Sequence, residues 1–273
     1  MLKTGAEHSN VSVSAQALRS RTEINPAPAA STDGHFLPTC AGCFVREIGA
    51  CPGFGVKSEP EANRARGFLP VPSQIQVFPA RRLILHQREI ADFVPVICSG
   101  LAASSVTLPN GRKQIVSFLL AGEAASMNYF FESCAGRAIE AVSQVSCRKF
   151  RRSDLQESVT KNPALMASLG RALGEERERA DQLSLDLSRR SAEARIARLI
   201  CSLIERLRRR GQAQGNTIEF PMRQQQLADA TGLTAVHVCK ILSRFRASGY
   251  LRIDGRRLTV LDPKALQELV EWR

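Results

Sequence analysis

Three cysteines, Cys40, Cys43 and Cys51, stand close together in the stretch "LPTCAGCFVREIGACPGF". Thiolates at such spacing bind zinc or an iron–sulfur cluster, but either centre takes four protein ligands and the stretch holds only three cysteines. Paired as disulfides, the same residues would need an oxidising compartment. Left unpaired in a polar arm, they would do nothing in particular. Cys98, Cys134, Cys147, Cys201 and Cys239 are the remaining sources of a fourth ligand. Spacing alone leaves these readings open. No catalytic constellation competes for attention, because the four histidines (His8, His35, His86, His237) are scattered with no nucleophile or metal spacing around them.

The elements that must position this chemistry belong to a chain of 273 residues, 44% of them hydrophobic, which suits two modest domains with real cores. Net charge is +12, which favours a polyanionic partner. Residues 161–273 hold 21 Lys and Arg against 13 Asp and Glu, so two thirds of the excess lies there and the polyanion is expected to bind there. No window approaches eighteen uninterrupted apolar residues, and "MLKTGAEHSNVSVSAQALRS" lacks an apolar stretch with a cleavage site. The expectation is a cytoplasmic chain with reduced thiols and no membrane partner.

Residues 1–36 read as a flexible polar lead-in. Over 37–162 the cysteine arm gives way to short β-rich runs ("SQIQVF", "RLILHQ", "FVPVICSG", "SSVTL", "KQIVSFLLAG", "AIEAVSQVSCRKF"), as in a barrel or sandwich. Asn110-Gly111 between two of them predicts a type I′ hairpin. From 163 to 210 the period becomes helical. Leu169, Leu173, Glu176, Ala180, Leu183 and Leu187 fall on the alternating four-and-three spacing of a coiled-coil seam, which predicts one long dimerisation helix. Glu176 and Arg190 would weaken that seam; the competing reading is a helix packed on its own barrel.

Residues 211–273 contain the most specific stretch, "RQQQLADATGLTAVHVCKILSRFRASGYL". A first helix through Leu227 and Ala228 ends at Gly232. A second begins after Thr234 as N-cap and buries Val238, Ile241, Leu242 and Phe245, which is helix-turn-helix patterning. Thr234, Val236, His237, Cys239, Lys240, Ser243 and Arg244 remain for the solvent side. "YLRIDGRRLTVL" follows as a two-stranded wing whose Arg256 and Arg257 are placed to grip phosphate. Double-stranded DNA is the expected partner.

With these segments in this order, the chain from about residue 37 resembles the CRP/FNR family of transcription regulators, its FNR branch in particular. "GRKQIVSFLLAGE" and "RSAEARIARLICSLIERL" carry the likeness along with the helix-turn-helix. The resemblance implies an α+β fold: a jelly-roll β-roll like a cyclic-nucleotide-binding domain, a long dimerisation helix and a winged helix-turn-helix. It implies a homodimer on palindromic DNA, contact with RNA polymerase, and oxygen or redox sensing. It also implies a [4Fe–4S] cluster, with Cys40, Cys43 and Cys51 matching the three N-terminal ligands and Cys147 the fourth; zinc on the same residues is the alternative. The C-x2-C-x7-C spacing is similar to the FnrN-type subgroup. Two departures stand out. Where FNR-type recognition helices carry Glu and Ser-Arg, this chain has Val236, Cys239 and Lys240. Gly122-Glu123 matches the start of a cyclic-nucleotide clamp, but Arg137 is followed by Ala138, so binding of a cyclic nucleotide is not expected.

Overall fold

The computed structural model describes residues 72–161 and 163–271. The lead-in and the three clustered cysteines, Cys40, Cys43 and Cys51, lie outside the described residues. Seven strands build the roll: β1 (Ser73–Phe78), β2 (Leu83–Leu85), β3 (Phe93–Ser99), β4 (Ala102–Thr107), β5 (Lys113–Leu119), β6 (Ala138–Ala141) and β7 (Val145–Arg151). They form two antiparallel sheets, ordered β1-β7-β3 and β2-β6-β4-β5. Leu85, Val94, Ile97, Ile139, Val145 and Phe150 are buried between them. Each such side chain contributes about 1.5–3 kcal/mol.

The β4–β5 hairpin is present, but its turn is not type I′. The Gly111 N–H donates to the Leu108 carbonyl at 2.9 Å, which makes Pro109 and Asn110 the central residues. Only Gly111 takes positive φ (80°), after the turn. Proline's fixed negative φ selects a type I turn followed by a left-handed glycine, because a primed turn needs positive φ at both centres.

Helix α1 (Arg152–Lys161) leads from the roll to α2 (Pro163–Arg189), and α3 (Ala192–Arg209) follows. The single helix expected over 163–210 is therefore two helices. Ser191 takes extended backbone (φ −61°, ψ 159°) and its hydroxyl accepts from the Ala194 N–H at 3.2 Å, as a helix N-cap does. Arg195 secures the break by donating to the carbonyls of Arg190 (3.0 Å) and Leu187 (2.9 Å), which the end of α2 leaves without helical partners.

The seam residues of α2 also face differently from a simple coiled coil. Leu169 is buried in the roll core, Leu173 packs against that core, and Glu176 is hydrogen-bonded to the roll. Leu183 and Leu187 are half-buried and, with exposed Ala180, line a cleft of about 620 Å³ between the roll, α2 and α3. The apolar spacing is the same in both readings, since a stripe with period near 3.5 fits a barrel face as well as a second helix.

The remaining elements are β8 (Thr217–Glu219), α4 (Gln224–Thr231), α5 (Ala235–Ala247), β9 (Leu251–Asp254), β10 (Arg257–Val260) and α6 (Pro263–Val270). The wing is three-stranded, ordered β8-β10-β9. Its helices and α3 share a core with the outer face of the second roll sheet, where Leu101, Ala103, Ile115 and Phe118 meet Ile196, Ile200, Leu227 and Leu203. Among the described residues no helix is long and apolar enough to cross a membrane.

Because Leu169 fills the roll, Leu169→Ala is expected to lower unfolding free energy by about 2–5 kcal/mol. Urea titrations at several protein concentrations measure this. A loss that vanishes under conditions where the protein is monomeric would assign Leu169 to a helix–helix seam instead.

Candidate nucleic-acid interface

The helix-turn-helix is held by small, well-placed features. Gly232 caps α4 in the left-handed region (φ 67°), and a β-carbon there would meet Leu187 Cδ2 at 2.9 Å. Thr234 caps α5, its hydroxyl accepting from the His237 N–H at 3.2 Å. Ala228 is fully buried where the two helices meet, and Val238, Ile241, Leu242 and Phe245 form the inner face of α5.

The outer face of α5 carries the residues expected there. Val236 is 67% exposed, an unusual position for a β-branched apolar side chain, and Thr234, His237, Lys240, Ser243 and Arg244 are exposed beside it. Cys239 is only partly exposed. Arg244 is not idle: its guanidinium pairs with Glu193 in the first turn of α3. In the wing, Arg256 and Arg257 are exposed at the turn between β9 and β10, where Gly255 occupies the first central position. A helix with an exposed polar and basic row, flanked by basic residues on a hairpin, can enter a major groove while the hairpin contacts phosphates.

Behind this surface, a nearly buried ion pair joins the DNA-facing unit to the roll. Glu123, 11% exposed, sits between Arg206 (2.6 Å) and Arg210 (2.8 Å) of α3 and its C-terminus. Both arginines also donate to roll carbonyls, Arg206 to Phe118 at 2.6 Å and Arg210 to Ala121 at 3.1 Å. Burial pushes the Glu123 pKa up, but the two guanidiniums and the Leu120 N–H outweigh it and hold the carboxyl below the ordinary value. The run "ERLRRRG" reads in the sequence as a generic basic helix end, so these two roles were missed. Glu123 sits in the Gly-Glu motif of a nucleotide clamp, and that was its only signal.

The cysteines sort by environment. Cys147 on β7 lies on the same face as Val145 and is fully buried. Burial, reinforced by the neighbouring Cys98 and eased only partly by Lys149, pushes its thiol up to about 12. A cluster ligand must be a thiolate reaching a centre shared with the N-terminal arm. In this structure the Cys147 side chain lies in the roll core, away from solvent. Cys134, in the loop before β6, is exposed. Cys201 is partly buried on α3 against the shared core, and its thiol is raised by burial. Among the described residues no group of three or more His, Cys, Asp or Glu could hold a metal ion.

A roll joined through helices to a winged helix-turn-helix defines the class: a DNA-binding regulator built on a β-roll. Comparison agrees on both halves. Residues 75–162 match the model described as "Cyclic nucleotide-binding domain" and 194–269 the one described as "Crp-like helix-turn-helix domain". The chain belongs to the CRP/FNR family of transcription regulators. It is 27% identical to the transcriptional activatory protein AadR of Rhodopseudomonas palustris, over 85% of this chain and 95% of that protein. It is 25% identical to the nitrogen fixation regulation protein FixK of Bradyrhizobium diazoefficiens, over 87% and 94%. The solved structure of FixK2 from Bradyrhizobium japonicum, 26% identical, superposes with a TM-score of 0.66 over 74% of this chain and all of that one.

The depressed carboxyl of Glu123 sets a pH dependence. Its contribution to stability is complete above the ordinary value of 4.5 and is lost as pH falls through the lower folded value. Glu123→Gln, which leaves two guanidiniums without their anion, is expected to destabilise the chain by about 3 kcal/mol at pH 7 and to remove that acid-side loss. Denaturant unfolding from pH 7 to pH 3 measures both; parallel pH profiles in the two proteins would show that the pair is energetically silent.

Proposed function

We propose that the chain acts as a homodimer that places α5 of each subunit in successive major grooves of a palindromic DNA site, with half-sites one helical turn apart. The observation that carries this reading is the exposed row Val236, His237, Lys240 and Ser243, left open although the neighbouring α4 is packed on β5 of the roll. Arg256 and Arg257 supply phosphate contacts, which position without reading sequence. The open cleft lined by Ala180, Leu183 and Leu187 supports seating of a second copy's helix along α2. Names such as AadR's favour an activating role, with RNA polymerase as the further partner and the cytoplasm as the place of action.

Base preference should differ from the FNR pattern. Val236 cannot accept a hydrogen bond from cytosine N4, and Lys240 offers guanine a point donor where Arg would offer a fork. Val236→Glu with Lys240→Arg is expected to move site selection toward the FNR-type half-site by about 1–3 kcal/mol at the G·C step. Arg256→Ala is expected to weaken all sites alike and reduce the salt slope by about 1. Recovery of identical sites by the wild type and the double variant would contradict the register assigned to α5.

For the signal, a thiolate-held centre on Cys40, Cys43 and Cys51 remains the favoured reading, with oxygen or redox state as its input. The exposure of Cys134 and the burial of Cys147 favour Cys134 as the fourth ligand. A [4Fe–4S] cluster would supply oxygen-labile redox chemistry; zinc would supply structure alone. Anaerobic protein is expected to hold about four irons per chain and absorb visible light, lost in Cys134→Ser and kept in Cys147→Ser. Loss in Cys147→Ser alone would restore that residue as the ligand, and colourless protein with one zinc would replace the cluster.

A further inference from the structure

The roll contains a three-donor site for an oxyanion, and the chain fills it with its own side chain. Ser126 Oγ donates to Glu176 Oε1 at 2.8 Å, the Met127 backbone N–H donates to Glu176 Oε2 at 2.9 Å, and Arg137 Nη1 donates to Glu176 Oε1 at 3.1 Å. Ser126 and Met127 are buried, and Arg137 and Glu176 are largely so. The carboxylate arrives from α2, some fifty residues further along the chain. A hydroxyl, a backbone N–H and a guanidinium converging on two oxygens suit a carboxylate or a phosphate ester equally.

Nothing about helix formation requires this placement. An isolated glutamate at mid-helix would normally turn to water, and bringing it against the roll removes most of its hydration. The three donors offset that cost, and together they fix α2 against the roll one turn beyond Leu173. Because α2 runs to Arg189 and is stitched through Arg195 to the helix-turn-helix, its angle on the roll bears on where the DNA-facing unit sits.

We propose that Glu176 is a tethered ligand: its carboxylate permanently occupies an anion site in the sensor roll, so that α2 is latched without a diffusible anionic effector. A second carboxylate of the cleft, Glu123, is held by Arg206 and Arg210. An external carboxylate or phosphate therefore meets an occupied site in the wild-type chain and a vacant one only when the Glu176 side chain is cut back.

Chemical rescue of the full-length protein tests this. Amide exchange of α2 is followed in wild type, Glu176→Ala, and Glu176→Ala combined with Arg137→Ala, each with sodium acetate or sodium chloride at equal ionic strength. Glu176→Ala is expected to exchange about tenfold faster over 169–180, since charged hydrogen bonds are lost. Acetate, unlike chloride, is expected to restore most of that protection. Wild type and the double variant are expected to show no acetate-specific response. Unchanged exchange in Glu176→Ala, or equal recovery in the double variant, would overturn the proposal. Should Glu176→Ala fail to fold, Glu176→Gln serves: it keeps the shape and loses the charge, and wild-type protection in it would overturn the proposal as well.

Discussion

A carboxylate taken out of water between two guanidiniums is the constraint on which the arrangement of this molecule depends. Glu123 belongs to the roll, whereas Arg206 and Arg210 belong to α3 and its end, so the pair exists only when α3 is seated on the roll. Each arginine reaches past the carboxylate to a roll carbonyl, which defines position as well as attraction. Charges this well hydrated are not buried for their own stability; they are held when both partners and the surrounding polar atoms are satisfied together. The apolar contact between the second roll sheet and α3 supplies the favourable area, and the ion pair selects one docking geometry out of many that such a surface would allow.

The same logic runs through α2. Its first turns are committed to the roll by Leu169 and Leu173, its middle by Glu176, and its end to the helix-turn-helix by Leu187 against Gly232 and by Arg195 across the break at Ser191. One helix thus touches the roll and the reader in turn. A change at either end must either bend α2 or move the other end, since a packed helix has few intermediate positions. The outward row of α5 stands clear of these contacts, so the reading surface is left open by the arrangement that fixes its support.

Much of this was legible in the sequence, because the features concerned are local. Gly232, Thr234 and the spacing of Ala228 and Val238 specify a helix-turn-helix through backbone and capping rules that act within a few residues. The roll strands and the β9–β10 hairpin follow from alternation and turn residues in the same way, whereas β8, which makes the expected two-stranded wing three-stranded, does not. What was not legible depends on the other half of a contact. The seam of α2 has one spacing and two possible partners, and only the fold shows Leu169 in the roll. Ser191 reads as an ordinary polar helix residue until Arg195 is seen closing the carbonyls beside it, although a serine followed by Glu193 in the next turn is an N-terminal signal. The burial of Cys147 depends on what packs over its short strand, which the spacing of the cysteines does not carry. The arginines of α3 look alike in sequence; only the position of Glu123 distinguishes Arg206 and Arg210 from their neighbours.

The central claim is that α5 and the wing contact DNA while the roll supports them from behind. Hydrogen–deuterium exchange of the full-length protein with and without a duplex carrying two half-sites one helical turn apart tests it most directly. The account predicts slowed exchange in 234–246 and in the wing over 252–257, with the outer roll strands unchanged. Protection confined to the roll, or absent from both α5 and the wing at saturating DNA, would contradict it.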